Sequence, residues 1–202
     1  MKDEGRNIFS VFDEILQREV KEKLLNQRGL AIWLTGLSGS GKTTIAIALE
    51  QLLNKKGFLT QVLDGDNVRT GINSNLGFSE EDRTENIRRI AEINKLFINC
   101  GIVTINCFVS PTKDIRAKAK EIIGADDFLE VFINTPIEIC EQRDVKGLYA
   151  KARKGEIKNF TGIDAPFEVP KTNFIDLKTA NCTPLEAATQ LKDIVLTKII
   201  KR

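Results

Sequence analysis

The chain contains no histidine. That absence removes histidine general-base chemistry and His-ligated zinc from consideration. Cysteine is sparse. Cys100, Cys107, Cys140 and Cys182 are the only four, and no two of them form a C-x-x-C pair. A structural zinc site is therefore not expected, and the pattern fits reduced, mostly buried thiols of a cytosolic protein. No apolar run approaches the roughly 20 residues that a membrane-spanning helix needs. The opening residues Met1-Lys2-Asp3-Glu4-Gly5-Arg6 are too charged for a signal peptide. An excess of one charge is missing too: 30 Lys and Arg face 28 Asp and Glu, a net +2. A general nucleic-acid binder carries a basic excess, so neither nucleic acid nor membrane is expected as a partner, and the expected location is cytoplasmic. Internal repeats and low-complexity segments are also absent. The 202 residues suit one domain, 1–202, with a substantial core.

What is present is concentrated in Gly36-Leu37-Ser38-Gly39-Ser40-Gly41-Lys42-Thr43-Thr44. This fits G-x-x-x-x-G-K-[ST], the phosphate-binding P-loop. Leu30–Thr35 before it reads as a buried strand. Ile45, Ala46, Leu49, Leu52 and Leu53 after it follow a helical period. Glycines let backbone N–H groups turn onto phosphate oxygens, and the helix N-terminus adds its positive end. Lys42 is placed to reach the β- and γ-phosphates of ATP, and the Thr43 hydroxyl to ligate Mg²⁺.

The rest of the chain alternates strand and helix. Residues 8–25 predict an amphipathic helical arm before the core, for packing or for a subunit contact. Lys55-Lys56-Gly57 stops the P-loop helix. Strands are predicted at 59–63, 102–109, 128–133 and 173–177. Ser79 caps a helix running to about Cys100, Ser110-Pro111 starts another with proline at its first position, and Pro136 opens a short one. Thr183-Pro184-Leu185-Glu186 is a capping box for the last helix. Residues 143–172 are rich in Lys, Arg and Gly without a period, and predict a lid. Five such strands imply a parallel, doubly wound α/β sheet. Ligands bind beyond the carboxyl ends of its strands, where the loops 36–44, 64–69 and 110–116 converge.

Asp64 and Asp66 flank Gly65 at that edge. In extended backbone, residues two apart face one side. Asp64 then suits the Mg²⁺ shell and Asp66 the base at an attacking hydroxyl; a polar turn after a strand fits the same residues. Arg83 and Asn86 share a helix face, as an anion site or as part of a salt-bridged surface. Phe78 and Phe160 sit in glycine-bearing loops, to stack on a base or to anchor a minor core.

Together these stretches resemble the adenylylsulfate (APS) kinase family, from about Gln27 to Ile199. The resemblance rests on GLSGSGKTT at 36–44, DGDNVR at 64–69, LGFS-EEDRTENIRRI at 76–90, Ser110-Pro111, EVFINTP at 130–136 and CEQRDVKGLYAKARKGEIKNFTGID at 140–164. It implies a P-loop kinase fold with strand order 2-3-1-4-5. It also implies phosphoryl transfer from ATP to the 3′-hydroxyl of adenosine 5′-phosphosulfate, within sulfate activation. Carried over by position, Asp66 becomes the base, with Asn67 beside it. Arg69, Arg83 and Asn86 hold the phosphosulfate. Phe78 and Phe160 sandwich the adenine, and Val109, Ser110, Lys146 and Asn159 line that pocket. The Ser110 position carries the family's phosphoserine designation. A direct in-line transfer needs no such intermediate, so here Ser110 reads as pocket lining. Lys178–Cys182 matches the contact to the ATP adenine. The resemblance also implies a homodimer and a functional link to an ATP sulfurylase. Thr112-Lys113 stands where the family usually has Tyr-Arg, and residues 8–14 lack its Trp-His. Two other readings compete. One is a P-loop kinase for nucleosides or shikimate, which the phenylalanine pair and DRTENIRR disfavour. The other is a non-catalytic nucleotide-binding module, which would tolerate loss of Lys42, Asp66 or Arg83.

Overall fold

A computed structural model describes residues 9–201. Its centre is one sheet of five parallel strands in the order β2-β3-β1-β4-β5. The strands are β1 (Leu30–Thr35), β2 (Thr60–Asp64), β3 (Val103–Cys107), β4 (Phe128–Asn134) and β5 (Phe174–Lys178). All six residues of β1 are buried. Such a strand must be covered on both faces, which is why it reads as a continuous apolar run without alternation.

Its side chains nevertheless divide by the strand period of two. Leu30, Ile32 and Leu34 point to a core shared with α2 (Lys42–Asn54) and α8 (Pro184–Ile199), meeting Ile45, Leu49, Leu191 and Val195. Ala31 and Trp33 point to the opposite core, under α4 (Glu80–Asn99) and α5 (Lys113–Ile123), against Ile87, Ile90, Ile98 and Ile115. Each fully buried aliphatic side chain contributes about 1.5–3 kcal/mol, so β1 is the strand that both layers hold. The P-loop leaves its carboxyl end. Caps expected from the sequence form as read: Ser79 Oγ accepts the Asp82 N–H at 3.1 Å, and Thr183 and Glu186 close a reciprocal box.

Several boundaries differ. The arm is helical only over α1 (Arg18–Leu25). Residues 9–17 are a turn and extended chain, and Ile8 lies outside the described residues. The apolar residues that suggested a longer helix, among them Phe9, Phe12 and Leu16, are exposed. What holds α1 is polar: buried Glu22 accepts from Arg18 (2.8 Å) and from the Gly29 N–H (3.0 Å). Strand β3 stops at Cys107 rather than 109, because the chain turns at Ser110, whose φ is +36°. Helix α5 starts at Lys113, capped by Thr112, so Pro111 precedes the helix instead of opening it. Residues 143–172 are not wholly irregular. They contain α7 (Leu148–Arg153), a helix of six residues, too short to show a period. Cys107 and Cys140 are buried, whereas Cys182 is half-buried and Cys100 exposed. Among the described residues, no helix is long and apolar enough to cross a membrane.

Candidate active site

The P-loop is shaped by close backbone approach. Gly39 has φ +73°, and a Cβ there would lie 2.9 Å from the Cys140 carbonyl on α6 (Ile137–Arg143). Only glycine fits both constraints. Ser40 is buried, and its hydroxyl has no hydrogen-bond partner among the described residues. Lys42 folds back over the loop and donates to the carbonyls of Gly36 (2.9 Å) and Leu37 (2.8 Å). Burial pushes its ammonium down to about 8. The Thr44 hydroxyl caps back onto Gly41 O at 2.9 Å. The Ser38 carbonyl accepts from Tyr149.

The Thr43 hydroxyl donates to Asp64 Oδ2 at 2.7 Å. Asp64 is buried at the end of β2, and its other oxygen accepts the Asp66 N–H at 3.0 Å. The backbone after Asp64 is therefore not extended. Asp64 is the N-cap of α3 (Gly65–Thr70), and the expected same-side pairing of two extended carboxylates gives way to a helical turn. The two acids separate by environment: Asp64 is buried, while the Asp66 side chain is 70% exposed and ion-paired with Lys146 of the lid segment.

Among the described residues, no cluster of three or more His, Cys, Asp or Glu is present. The hydroxyl of Thr43 and the carboxylate of Asp64 offer hard oxygen donors at the mouth of the P-loop. That set suits Mg²⁺, which takes one or two protein oxygens and completes its octahedron with phosphate and water. The unpartnered Ser40 hydroxyl is a further free donor within the loop.

The acceptor side is built around two arginines. Arg69 donates to the carbonyls of Leu76 (3.0 Å) and Gly77 (2.7 Å), and its guanidinium lies 4.6 Å from the centre of the Phe78 ring. Arg83 donates to Phe78 O (2.9 Å) and to Asn159 O (3.3 Å). It thereby joins the two phenylalanine loops, although Arg83 and Asn159 are 76 residues apart in the chain. Phe78 is 71% exposed, a high value for a residue with only a core role. Asn67 is exposed beside Asp66. Asn86 lies on the inner face of α4, buried, with its Oδ1 accepting from Asn73 at 2.9 Å. Val109 presents its carbonyl to the Thr35 hydroxyl (2.8 Å). Ser110 Oγ accepts the Trp33 indole N–H (3.1 Å) and donates to Thr35 Oγ1 (3.0 Å). Cys182 follows the carboxyl end of β5, its thiol bonded to Lys178 O.

Sequence reasoning missed three residues. Asp164 accepts the N–H groups of Asn159 (2.7 Å) and Phe160 (2.5 Å) and shapes that turn; an acid four residues past Phe160 is a local signal that was available. Asn73 and Tyr149 act across the fold, and no local spacing points to them.

Residues 28–178 match the sequence model of the Adenylylsulphate kinase family. The chain belongs to the adenylylsulphate kinase family. It is a P-loop kinase, and its strand order is the one the resemblance implied. It is 61% identical to the adenylyl-sulfate kinase of Bacteroides fragilis over 197 residues, covering 98% of each chain. It is 54% identical to the adenylyl-sulfate kinase of Clostridium kluyveri over 185 residues, covering 92% of each. Among solved structures, it is similar to the Mycobacterium tuberculosis APS kinase in complex with AMPPNP and APS, with a TM-score of 0.79 and 46% identity. That match covers 83% of this chain and 98% of the other.

Proposed function

We propose that this adenylylsulphate kinase transfers the γ-phosphate of ATP to the 3′-hydroxyl of adenosine 5′-phosphosulfate, giving ADP and 3′-phosphoadenosine 5′-phosphosulfate. The observation that carries the site assignment is Arg83, which ties the Phe78 loop to the Asn159-Phe160 turn beside the P-loop cleft. The P-loop N–H groups and Lys42 bind the triphosphate. Thr43 and Asp64 would hold Mg²⁺, which would supply charge neutralisation at the phosphates of the bound nucleotide. Arg69, Arg83 and Asn86 hold the phosphosulfate, and Phe78 and Phe160 clamp the purine, with Val109, Asn159 and Lys146 lining it. Cys182 and its neighbours face the ATP adenine. Asp66 accepts the proton as the O3′–H bond breaks. The O3′–Pγ bond forms, the bond from Pγ to the bridging oxygen breaks, and ADP leaves. Ser110, fixed between Trp33 and Thr35, lines the pocket. Coupled ADP release, measured with and without adenosine 5′-phosphosulfate, tests the reading. Release that ignores this acceptor would overturn it.

The purine clamp gives a specific expectation. Each aromatic stack is worth about 1–3 kcal/mol. Replacing Phe78 and Phe160 together by alanine will weaken binding of adenosine 5′-phosphosulfate far more than binding of ATP, by calorimetry. Equal losses for both ligands, or none, would refute the clamp.

Residues 143–172 act as a lid. Lys146 already bridges to Asp66, Arg153 pairs with Glu141, and Gly147 and Gly155 have φ of +65° and +74°. Closure excludes water that would otherwise hydrolyse ATP. Amide exchange across this segment is expected to be fast in the free protein and slow with both ligands bound. Slow exchange without ligand would mean a static segment.

The working form is a homodimer, in the cytoplasm, functionally linked to an ATP sulfurylase that supplies the acceptor. Support for assembly comes from Phe9, Phe12, Leu16, Val20 and Leu24, large apolar side chains exposed within one stretch of the chain; exposed apolar patches often mark interaction surfaces. Similarity to a hexameric APS kinase from Thiobacillus denitrificans (TM-score 0.61, 28% identity, covering 86% of this chain and 29% of that one) points the same way.

A further inference from the structure

Tyr149 is the chain's single tyrosine and is 1% exposed. It stands on α7, within the lid segment, yet its side chain reaches the nucleotide side. The hydroxyl donates to the Ser38 carbonyl of the P-loop at 2.9 Å. The ring meets Phe160 edge-on, with centroids 5.0 Å apart and planes at 77°. Its backbone N–H donates to Asp144 Oδ1 at 3.0 Å, which seats the start of α7. Burial raises the phenol well above its ordinary range, so the hydroxyl remains a donor throughout the working pH range.

Three other ties in this region are one-sided. Lys146 ends on Asp66, and Arg83 joins Phe78 to Asn159, all on the acceptor side. Arg143 bonds the Gly39 and Ser40 carbonyls, on the nucleotide side. Tyr149 alone among these touches both a P-loop carbonyl and a phenylalanine of the purine clamp. A tyrosine has few rotatable bonds, and a buried one in edge-to-face contact has one packing arrangement. A shift of the Ser38 peptide is therefore passed to the ring and on to Phe160.

We propose that Tyr149 is a positioning residue that couples the two substrate sites: the state of the P-loop at Ser38 sets the placement of Phe160, and so the affinity for the acceptor. The inference rests on the reading of Phe160 as part of the acceptor clamp. Such coupling is reciprocal, so the acceptor must alter nucleotide affinity by the same factor.

Tyr149→Phe tests this, because it keeps the ring and removes the hydroxyl that bonds Ser38. Calorimetry would measure binding of adenosine 5′-phosphosulfate with and without saturating AMPPNP. The wild-type protein is expected to show a ratio of about fivefold or more between the two affinities, within the usual range for coupled sites. In Tyr149→Phe the ratio should fall to within about twofold of one, a small residual on the same scale. A second readout needs no acceptor. AMPPNP alone should slow amide exchange at residues 158–162 in the wild type and not in the variant. In addition, fluorotyrosine labelling gives a single fluorine resonance, which should shift with AMPPNP alone. An unchanged ratio in Tyr149→Phe overturns the proposal, and so does a wild-type ratio of one. Parallel weakening of both ligands at an unchanged ratio would show a merely structural tyrosine, and also overturns it. If the wild type fails to bind adenosine 5′-phosphosulfate, the acceptor assignment falls. The AMPPNP-only exchange experiment then still decides whether Tyr149 links the P-loop to Phe160.

Discussion

Lys42→Ala will lower kcat by about 10³-fold or more, with the fold retained. The Lys42 ammonium already lies on the P-loop, bonded to Gly36 O and Leu37 O. Removing a single preorganised donor from a site of developing charge costs about 10²–10³ in kcat. In the proposed mechanism Lys42 brings a full charge to the transferring phosphoryl group, so the larger figure applies. The fold survives because the P-loop is held mainly by its glycine turns and by α6 packing behind Gly39. A pH signature accompanies the loss. Burial sets the Lys42 ammonium near 8, below the ordinary 10.5. Between those values the unfolded chain binds the proton and the folded one does not. Stability therefore rises with pH across that window as the cost of the buried charge is relieved. Nucleotide binding runs the other way. Phosphate needs the charged amine, so ATP affinity weakens as pH climbs through about 8. Titrating AMPPNP at pH values on either side of that point should reveal the dependence in the wild type and its absence in Lys42→Ala. A folded Lys42→Ala protein with normal turnover would end the P-loop assignment.

The parts of this site that the sequence makes legible are those built from neighbours in the chain. The P-loop reads correctly because its glycines, its lysine and the buried β1 before it lie within fifteen residues, 30–44. The caps at Ser79 and Thr183 read correctly because their partners are three residues on. The strand order was carried by resemblance to a family, since no local rule yields it. Three things stayed hidden. The apolar period at residues 9–17 suggested a helix, but a period forms a helix only where there is a surface to bury it against, and those side chains are exposed. Asp64 and Asp66 looked like an extended pair because α3 is only six residues long, too short to leave a period of its own. Asn73 on Asn86 and Tyr149 on Ser38 are contacts between distant stretches, joined only when the sheet brings them together.

Asp66→Asn is expected to lower kcat by about 10²–10⁴, the usual value of a general base, with ATP affinity little changed. The structure separates the three groups that compete for this role. Asp64 has both oxygens engaged, one by Thr43 and one by the Asp66 N–H, and it is buried at the end of β2. It is tied to Thr43 of the P-loop and to the start of α3, and in the proposed mechanism its remaining lone pairs serve the cation. Ser110 is 3% exposed, held between the Trp33 indole and Thr35, with Arg116 on its carbonyl at 2.8 Å. Those contacts include no carboxylate or amine to take its proton, so it is a poor nucleophile. Its loss instead leaves the buried Trp33 N–H unpaired, at a cost of about 1–3 kcal/mol in stability. Ser110→Ala should therefore lower the melting temperature more than it lowers kcat. Asp66 is the acid that remains: exposed to the cleft and held by Lys146, a residue of the lid segment. Asparagine keeps its size and hydrogen-bonding capacity and removes only the basic oxygen. Steady-state kinetics on both variants, with radiolabelled ATP to detect any phosphoenzyme, decides the matter. An inactive Ser110→Ala beside an active Asp66→Asn would reverse the assignment. So would a phosphoserine that accumulates at the rate of turnover, because direct transfer to a hydroxyl deprotonated by Asp66 leaves no label on the protein.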